Sequence, residues 1–172
     1  MKKVFISGDG NKQTVRDFLD ENLPQIKKHV NVVAVEIDES LDLSSLDVDY
    51  GILMGGDGFI LRCADRLNGS PIPTIGVNFG KLGFLAYIES SDLYSALNTI
   101  EKGEFEIEKR MMLEITMSHK PNRYLALNDS YLYRGANPKM LHLSVKLANL
   151  EATTFIGDGI ILSTPTGSTA YS

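Results

Sequence analysis

Val48-Asp49-Tyr50-Gly51-Ile52-Leu53-Met54-Gly55-Gly56-Asp57-Gly58 joins a mostly apolar, β-prone run to a glycine turn, and Phe59 to Leu67 then reads as a helix. Phe59, Ile60, Cys63, Ala64 and Leu67 fall on the helical spacing that lets one face pack. Strand, tight turn and helix in that order form the first half of a βαβ unit. Pro73 to Val77 supplies the next strand. Upstream the same order is present. Val4-Phe5-Ile6 is a short buried strand over Lys3 to Ser7, stopped by Gly8-Asp9-Gly10. Val15, Phe18, Leu19, Leu23 and Ile26 then recur at helical spacing, with Pro24 expected to end or kink that helix, and Val32 to Ile37 is a second strand. Ser40 to Asp47 reads as loop. Asp92 to Ile100 reads as a helix with Ser91 or Asp92 as its N-cap. Strands alternating with helices predict an α/β layer with a parallel sheet.

The pattern changes near Gly103. From Phe105 onward the sequence offers strands and no helix: Arg110 to Met117, Arg123 to Leu127, Leu132 to Arg134, Leu141 to Leu147 and Gly159 to Ser163. The expected organisation is an α/β nucleotide-binding domain over residues 1–102, then part of an all-β domain over residues 103–172. The final Thr164-Pro165-Thr166-Gly167-Ser168-Thr169-Ala170-Tyr171-Ser172 looks like a strand–turn–helix start too short to form a helix, so the β-rich region looks incomplete.

Composition narrows the function classes. A formal charge of −5 disfavours nucleic acid and anionic membrane as partners, since both demand clustered Lys and Arg. A single cysteine, Cys63, excludes an intrachain disulfide and fits a reducing, cytoplasmic setting. No apolar run approaches the ~20 residues that span a bilayer. His29, His119 and His142 are dispersed without metal-ligand spacing, so no metal ligands are assigned.

Four clusters carry chemistry. Gly55-Gly56-Asp57-Gly58 lies at the carboxyl end of a strand, where open α/β sheets bind ligands, and its glycines let backbone approach a phosphate. Asp57 beside an anion makes sense if it binds a cation or takes a proton from a substrate hydroxyl; as a bare turn it would be a solvated acid. Gly76 to Leu85 brings three glycines among apolar residues just past a strand, and Phe84 could stack on a base or sit in the core. Asn128-Asp129 offers a donor and acceptors suited to a ribose or adenine edge, or else forms a turn. Gly157-Asp158-Gly159 precedes a run in which six of the last nine residues carry hydroxyls, more than helix capping uses.

Taken together and in this order, these motifs resemble the ATP-NAD kinase family, and the resemblance covers nearly the whole chain. It implies an N-terminal α/β domain, a C-terminal β domain and NAD in the cleft between them. It implies that Asp57 is the general base, taking the proton of the adenosine ribose 2′-hydroxyl as that oxygen attacks the γ-phosphate of ATP. A divalent cation, Mg²⁺, would accompany the phosphates. Gly56, Gly58, Phe84, Leu85, Asn128, Asp129, Arg134, Asp158, Thr166, Thr169, Ala170 and Tyr171 would line the substrate site. Asn128-Asp129 would contact adenosine. Asp158 and the stretch from Thr166 to Tyr171 would hold the nicotinamide half or a second subunit's ligand, in a homodimer or homotetramer. Two positions depart from the family pattern: Phe59 stands where Thr is usual, and Asp129 where Glu is usual.

Other kinases share Gly-Gly-Asp-Gly. A lipid kinase would need a membrane-facing basic helix, and a sugar-phosphate kinase would need an arginine cluster; neither is evident in the sequence. A nucleotide-binding relative without turnover is the non-enzyme alternative.

Overall fold

The computed structural model describes residues 1–80 and 83–169 and divides the chain into two compact units, Met1–Lys109 and the residues from Arg110 onward. In the first, strand β1 (Lys3–Gly8) leads into helix α1 (Gln13–His29), strand β2 (Asn31–Glu36), strand β3 (Tyr50–Gly55), helix α2 (Asp57–Arg66), strand β4 (Thr74–Asn78), the short strand β5 (Ile88–Glu89) and helix α3 (Leu93–Lys102). All pairings in the five-stranded sheet are parallel, in the order β2-β1-β3-β4-β5. The parallel α/β layer expected from the sequence is therefore present.

Burial follows the periodicities. β3 is buried along its whole length, as a central strand covered on both faces must be. Its Ile52 and Met54 join Val4 and Ile6 of β1, Val77 of β4, Val15, Leu19 and Ile26 of α1, and Leu93 and Leu97 of α3 in one core. Gly51 accommodates Phe5, whose ring fills the space a side chain there would need.

Three readings are corrected. Pro24 does not end α1: the helix runs on to His29. Proline costs that turn one N–H, but buried Ile26 anchors the next turn, Val30 N–H bonds Ile26 O at 3.1 Å, and Lys27, Lys28 and His29 complement the helix C-terminus. The segment expected to be loop after Ser40 contains a short 3₁₀ turn, Leu43–Ser45, capped by Asp42 and pinned by fully buried Leu43. The helix near Asp92 begins one residue later, after a 3₁₀ turn at Ser90–Asp92; Asp92 holds the expected N-cap position but makes no side-chain cap. Gly103 closes α3 in the left-handed conformation, φ 75°.

The second unit has no α-helix among its described residues. It is built of antiparallel ribbons: β6 (Leu113–Met117) with β7 (Lys120–Ala126), β8 (Asp129–Tyr133) with β11 (Gly159–Ser163), and β9 (Leu141–Val145) with β10 (Thr153–Gly157). β10 went unread in the sequence because its Thr-Thr start lacks a clear apolar alternation. The run after Thr164 ends, within the described residues, in a 3₁₀ turn at Gly167–Thr169.

Candidate functional site

The order β2-β1-β3 reverses direction at β1: the chain leaves β1 toward β2 on one side and returns with β3 on the other. Such a switch point opens a crevice beyond the carboxyl ends of the two strands, where ligands of open α/β sheets bind. Here those ends are Gly8-Asp9-Gly10 and Gly55-Gly56-Asp57, tied together by Asp9 N–H donating to Met54 O at 2.8 Å.

Asp57 is the first residue of α2, and Gly56, in extended conformation, is its N-cap. The carboxylate is turned onto the chain that follows β4. Phe84 N–H donates to Oδ2 at 2.7 Å; Leu85 and Ala86 N–H both donate to Oδ1, at 3.0 and 3.1 Å. Oδ1 thus has both lone pairs engaged and Oδ2 retains one. Gly83 makes this clamp possible, because a side chain there would occupy the carboxylate's place. Gly58 faces open space, with nothing near the direction a side chain would take.

Phe84 is 71% exposed, its ring free of the core, whereas Leu85 and Ala86 are buried and anchor the segment. Phe59 goes the other way. It is buried, packs under Gly55, and carries the Arg62 guanidinium 5.5 Å from its ring centre. No hydroxyl faces the crevice from position 59. Beside the crevice lies an open cavity of about 350 Å³ lined by Thr14, Asn78, Phe79, Gly80, Glu89 and Ser90. Asn78 shapes its wall by bonding both the N–H and the carbonyl of Gly80, at 3.0 and 3.3 Å.

One residue at the crevice was missed in the sequence. Lys12, the N-cap of α1, sends Nζ to Phe79 O at 3.2 Å, across the ends of the strands. The signal was available: a lysine in the turn after the first strand of an α/β sheet stands at the switch point whenever that strand is central.

In the second unit the structure gathers Asn128, Asp129 and the described part of the hydroxyl run, residues 164–169, at one end of the β8–β11 ribbon, where Asp129 pairs with Ser163. Thr164 is buried and holds the junction: its N–H donates to Asn128 O at 2.8 Å, its Oγ1 to Leu127 O at 2.6 Å, and it accepts from Gly167 N–H at 3.1 Å. Gly167 packs directly on the Asn128 backbone, where no side chain fits. Thr166 Oγ1 accepts from Arg110 at 3.3 Å, and Thr169 is exposed.

Arg134 and Asp158 belong to the opposite end. Arg134 Nε donates to Asp158 Oδ1 at 2.6 Å, and its N–H to Asp158 O at 3.0 Å. Because β8 spans the five residues between these ends, at roughly 3.4 Å per residue, Asp158 and Arg134 cannot touch the group that Asn128 and Thr166 touch. The C-terminal candidates form two clusters, not one. Ala170 and Tyr171 lie outside the described residues.

Comparison with known proteins identifies the family. Residues 4–105 match the family model of the ATP-NAD kinase N-terminal domain, and residues 127–172 that of the C-terminal domain. The chain is 41% identical to the NAD kinase of Clostridium kluyveri strain ATCC 8527, over 98% of this chain and 60% of the relative. It is 36% identical to the NAD kinase of Clostridium botulinum strain Loch Maree, over 100% of this chain and 63% of that protein. The chain thus spans under two thirds of the length of these relatives. The crystal structure of yeast NADH kinase complexed with NADH matches with a TM-score of 0.82 over 99% of this chain and 60% of that one; at 22% identity this likeness speaks for the fold. With both family models matched in order, the chain belongs to the ATP-NAD kinase family.

Proposed function

We propose that the protein transfers the γ-phosphate of ATP, or the terminal phosphate of polyphosphate, to the 2′-hydroxyl of the adenosine ribose of NAD, making NADP. The observation that carries this reading is the Asp57 carboxylate at the switch-point crevice, fixed by three backbone N–H groups with one lone pair of Oδ2 left over. A neutral hydroxyl is a poor nucleophile, and an aligned base contributes about 10²–10⁴-fold. Oδ2 takes the 2′-hydroxyl proton, the freed oxygen bonds to the terminal phosphorus, and the bond to the bridging oxygen breaks with its electrons leaving on ADP or, for polyphosphate, on the shortened chain. Gly56 and Gly58 leave room for phosphate, and Phe84 and Leu85 border the acceptor.

Asn128 and Asp129 hold the adenosine, and Thr166 and Thr169 extend that surface; Ala170 and Tyr171 are assigned to NAD by the family resemblance alone. Arg134 and Asp158 serve another part of NAD, or the NAD of a second subunit in a homodimer or homotetramer. A divalent cation, Mg²⁺, would arrive on the donor phosphates with most of its water. No described helix is long and apolar enough to cross a membrane, and the proposed setting is cytoplasmic.

Incubation of the full-length protein with ATP, Mg²⁺ and NAD, followed by an NADP-specific dehydrogenase, tests the proposal. Formation of NADP that is lost in Asp57→Asn supports it. NAD binding with no NADP formed would favour a nucleotide sensor, and phosphorylation of a lipid or a sugar phosphate instead would favour the other kinases.

A further inference from the structure

We infer that Lys12 is a substrate-binding residue for the phosphate chain of the phosphoryl donor. This deepens the phosphotransfer reading and rests on it. Among the described residues, four cations lie around the carboxyl ends of β1, β3 and β4, and three are internally satisfied. Arg66 pairs with Glu36 at 2.7 Å; Arg62 pairs with Glu39 at 3.0 Å and approaches Asp9 at 3.9 Å; Arg16 bonds Gln13 and the Gly10 carbonyl. Lys12 forms no ion pair among the described residues, and it lacks the several side-chain bonds that hold Arg16. Its one acceptor is the neutral Phe79 carbonyl. Asp57 is engaged with backbone N–H groups, Asp9 Oδ1 accepts from Asn11 N–H at 3.3 Å, and Glu89, which lines the neighbouring cavity, forms no ion pair with Lys12.

The ammonium is nevertheless held in place. Lys12 N–H donates to Asp9 O at 2.9 Å and its carbonyl accepts from Val15 N–H at 3.1 Å, so the root of the side chain is fixed by the start of α1. Nζ then lies over bare backbone: a side chain at Gly80 would meet it at 3.1 Å and one at Gly56 at 3.5 Å. With one of its three N–H donors used, two remain for an acceptor entering between these glycines. A fixed, unpaired, part-buried cation above glycine backbone suits a polyanion whose oxygens approach the main chain closely. Phe59 presents no hydroxyl to that anion, so Lys12 carries the recognition. ATP and inorganic polyphosphate share this chain of phosphates.

The test compares the full-length wild type with Lys12→Gln and Lys12→Arg. Gln can still donate to the Phe79 carbonyl but carries no charge; Arg keeps the charge. Titration calorimetry with Mg-tripolyphosphate, Mg-ATP and adenosine is run beside donor and NAD kinetics. The expected result is that Lys12→Gln weakens tripolyphosphate and ATP by about 10-fold or more, as loss of a charge-assisted contact does. Adenosine binding and the KM for NAD should stay within about 2-fold, Arg should restore most of the loss, and the salt dependence of donor binding should fall in Gln. Wild-type affinity for both phosphate compounds in Lys12→Gln, or no tripolyphosphate binding by the wild type, overturns the assignment. The two readings fail separately. A protein that makes no NADP yet binds tripolyphosphate through Lys12 keeps the phosphate site and loses the reaction. One that makes NADP with Lys12→Gln unchanged loses the phosphate site and keeps the reaction.

Discussion

A methyl group on Gly83 would fall inside the carboxylate of Asp57. The two residues are far apart in sequence, yet the absence of a side chain at one sets the position of the acid at the other. Gly83→Ala is therefore expected to push Asp57 out of register with the N–H groups of Phe84, Leu85 and Ala86. Because misplacing a reacting group by about 1 Å can cost ~10²-fold, kcat should fall about 10- to 100-fold with circular dichroism unchanged. Steady-state kinetics on purified Gly83→Ala checks this; wild-type kcat would mean that the clamp does not set the reacting geometry.

Asp57→Asn should not be a silent removal of the base. One side-chain oxygen becomes an NH₂ facing either the Phe84 N–H or the pair from Leu85 and Ala86. A donor left opposite a donor costs about 1–3 kcal/mol. Besides losing turnover, the variant should unfold at lower urea, and Asp57→Ala should show a comparable loss of stability. Equilibrium denaturation of the three proteins measures it.

Glu36 and Arg66 form an ion pair inside the first unit, with Ser7 Oγ donating to Glu36 Oε1 at 2.6 Å and Leu41 N–H to Oε2 at 2.8 Å. Burial pushes the Glu36 carboxyl up, but Arg66, Ser7 and Leu41 together outweigh it and hold it below the usual carboxylate value. A carboxyl depressed in the folded state stabilises above its unfolded pKa, and that contribution disappears as pH falls through the folded value. Glu36→Gln should therefore cost about 3 kcal/mol near neutral pH, where it strands Arg66. The gap to wild type should narrow as pH falls below the ordinary carboxylate range. Urea titrations at a series of pH values would show it.

Cys63 is fully buried, and burial pushes its thiol up to about 11. The thiolate is the reactive form. Iodoacetamide at neutral pH should leave the native protein unmodified and label it rapidly once unfolded, as mass spectrometry would register.

Much of the first unit could be read from the sequence because its elements carry their own signals. The Val, Ile and Leu runs of β1 and β3 and the spacing of Val15, Leu19 and Ile26 are local features, and the structure follows them. Pro24 does not end α1 because a local penalty is outweighed by tertiary packing of Ile26. Asp57 and Phe84 could be nominated from sequence, but not the bonds between them: the link passes through backbone N–H groups that no side-chain pattern encodes. Lys12 was overlooked, although its place in the turn after β1 was there to be read. Its importance comes from strand order, which places the turn after β1 against the turn after β3. In the second unit, Asn128 and Thr164 read as separate motifs because they meet only through the Asn128 and Leu127 carbonyls. Asp158 is grouped with Thr166 by family pattern, although it bonds Arg134 at the other end of β8.

The central claim is that Asp57 Oδ2 accepts the proton of a ribose hydroxyl. Single-turnover NADP formation by the full-length protein, with saturating ATP, Mg²⁺ and NAD, tests it most directly when Asp57→Ala is compared with wild type. The account predicts that the first turnover slows by about 10²–10⁴-fold in the variant. An unchanged first-turnover rate would contradict it.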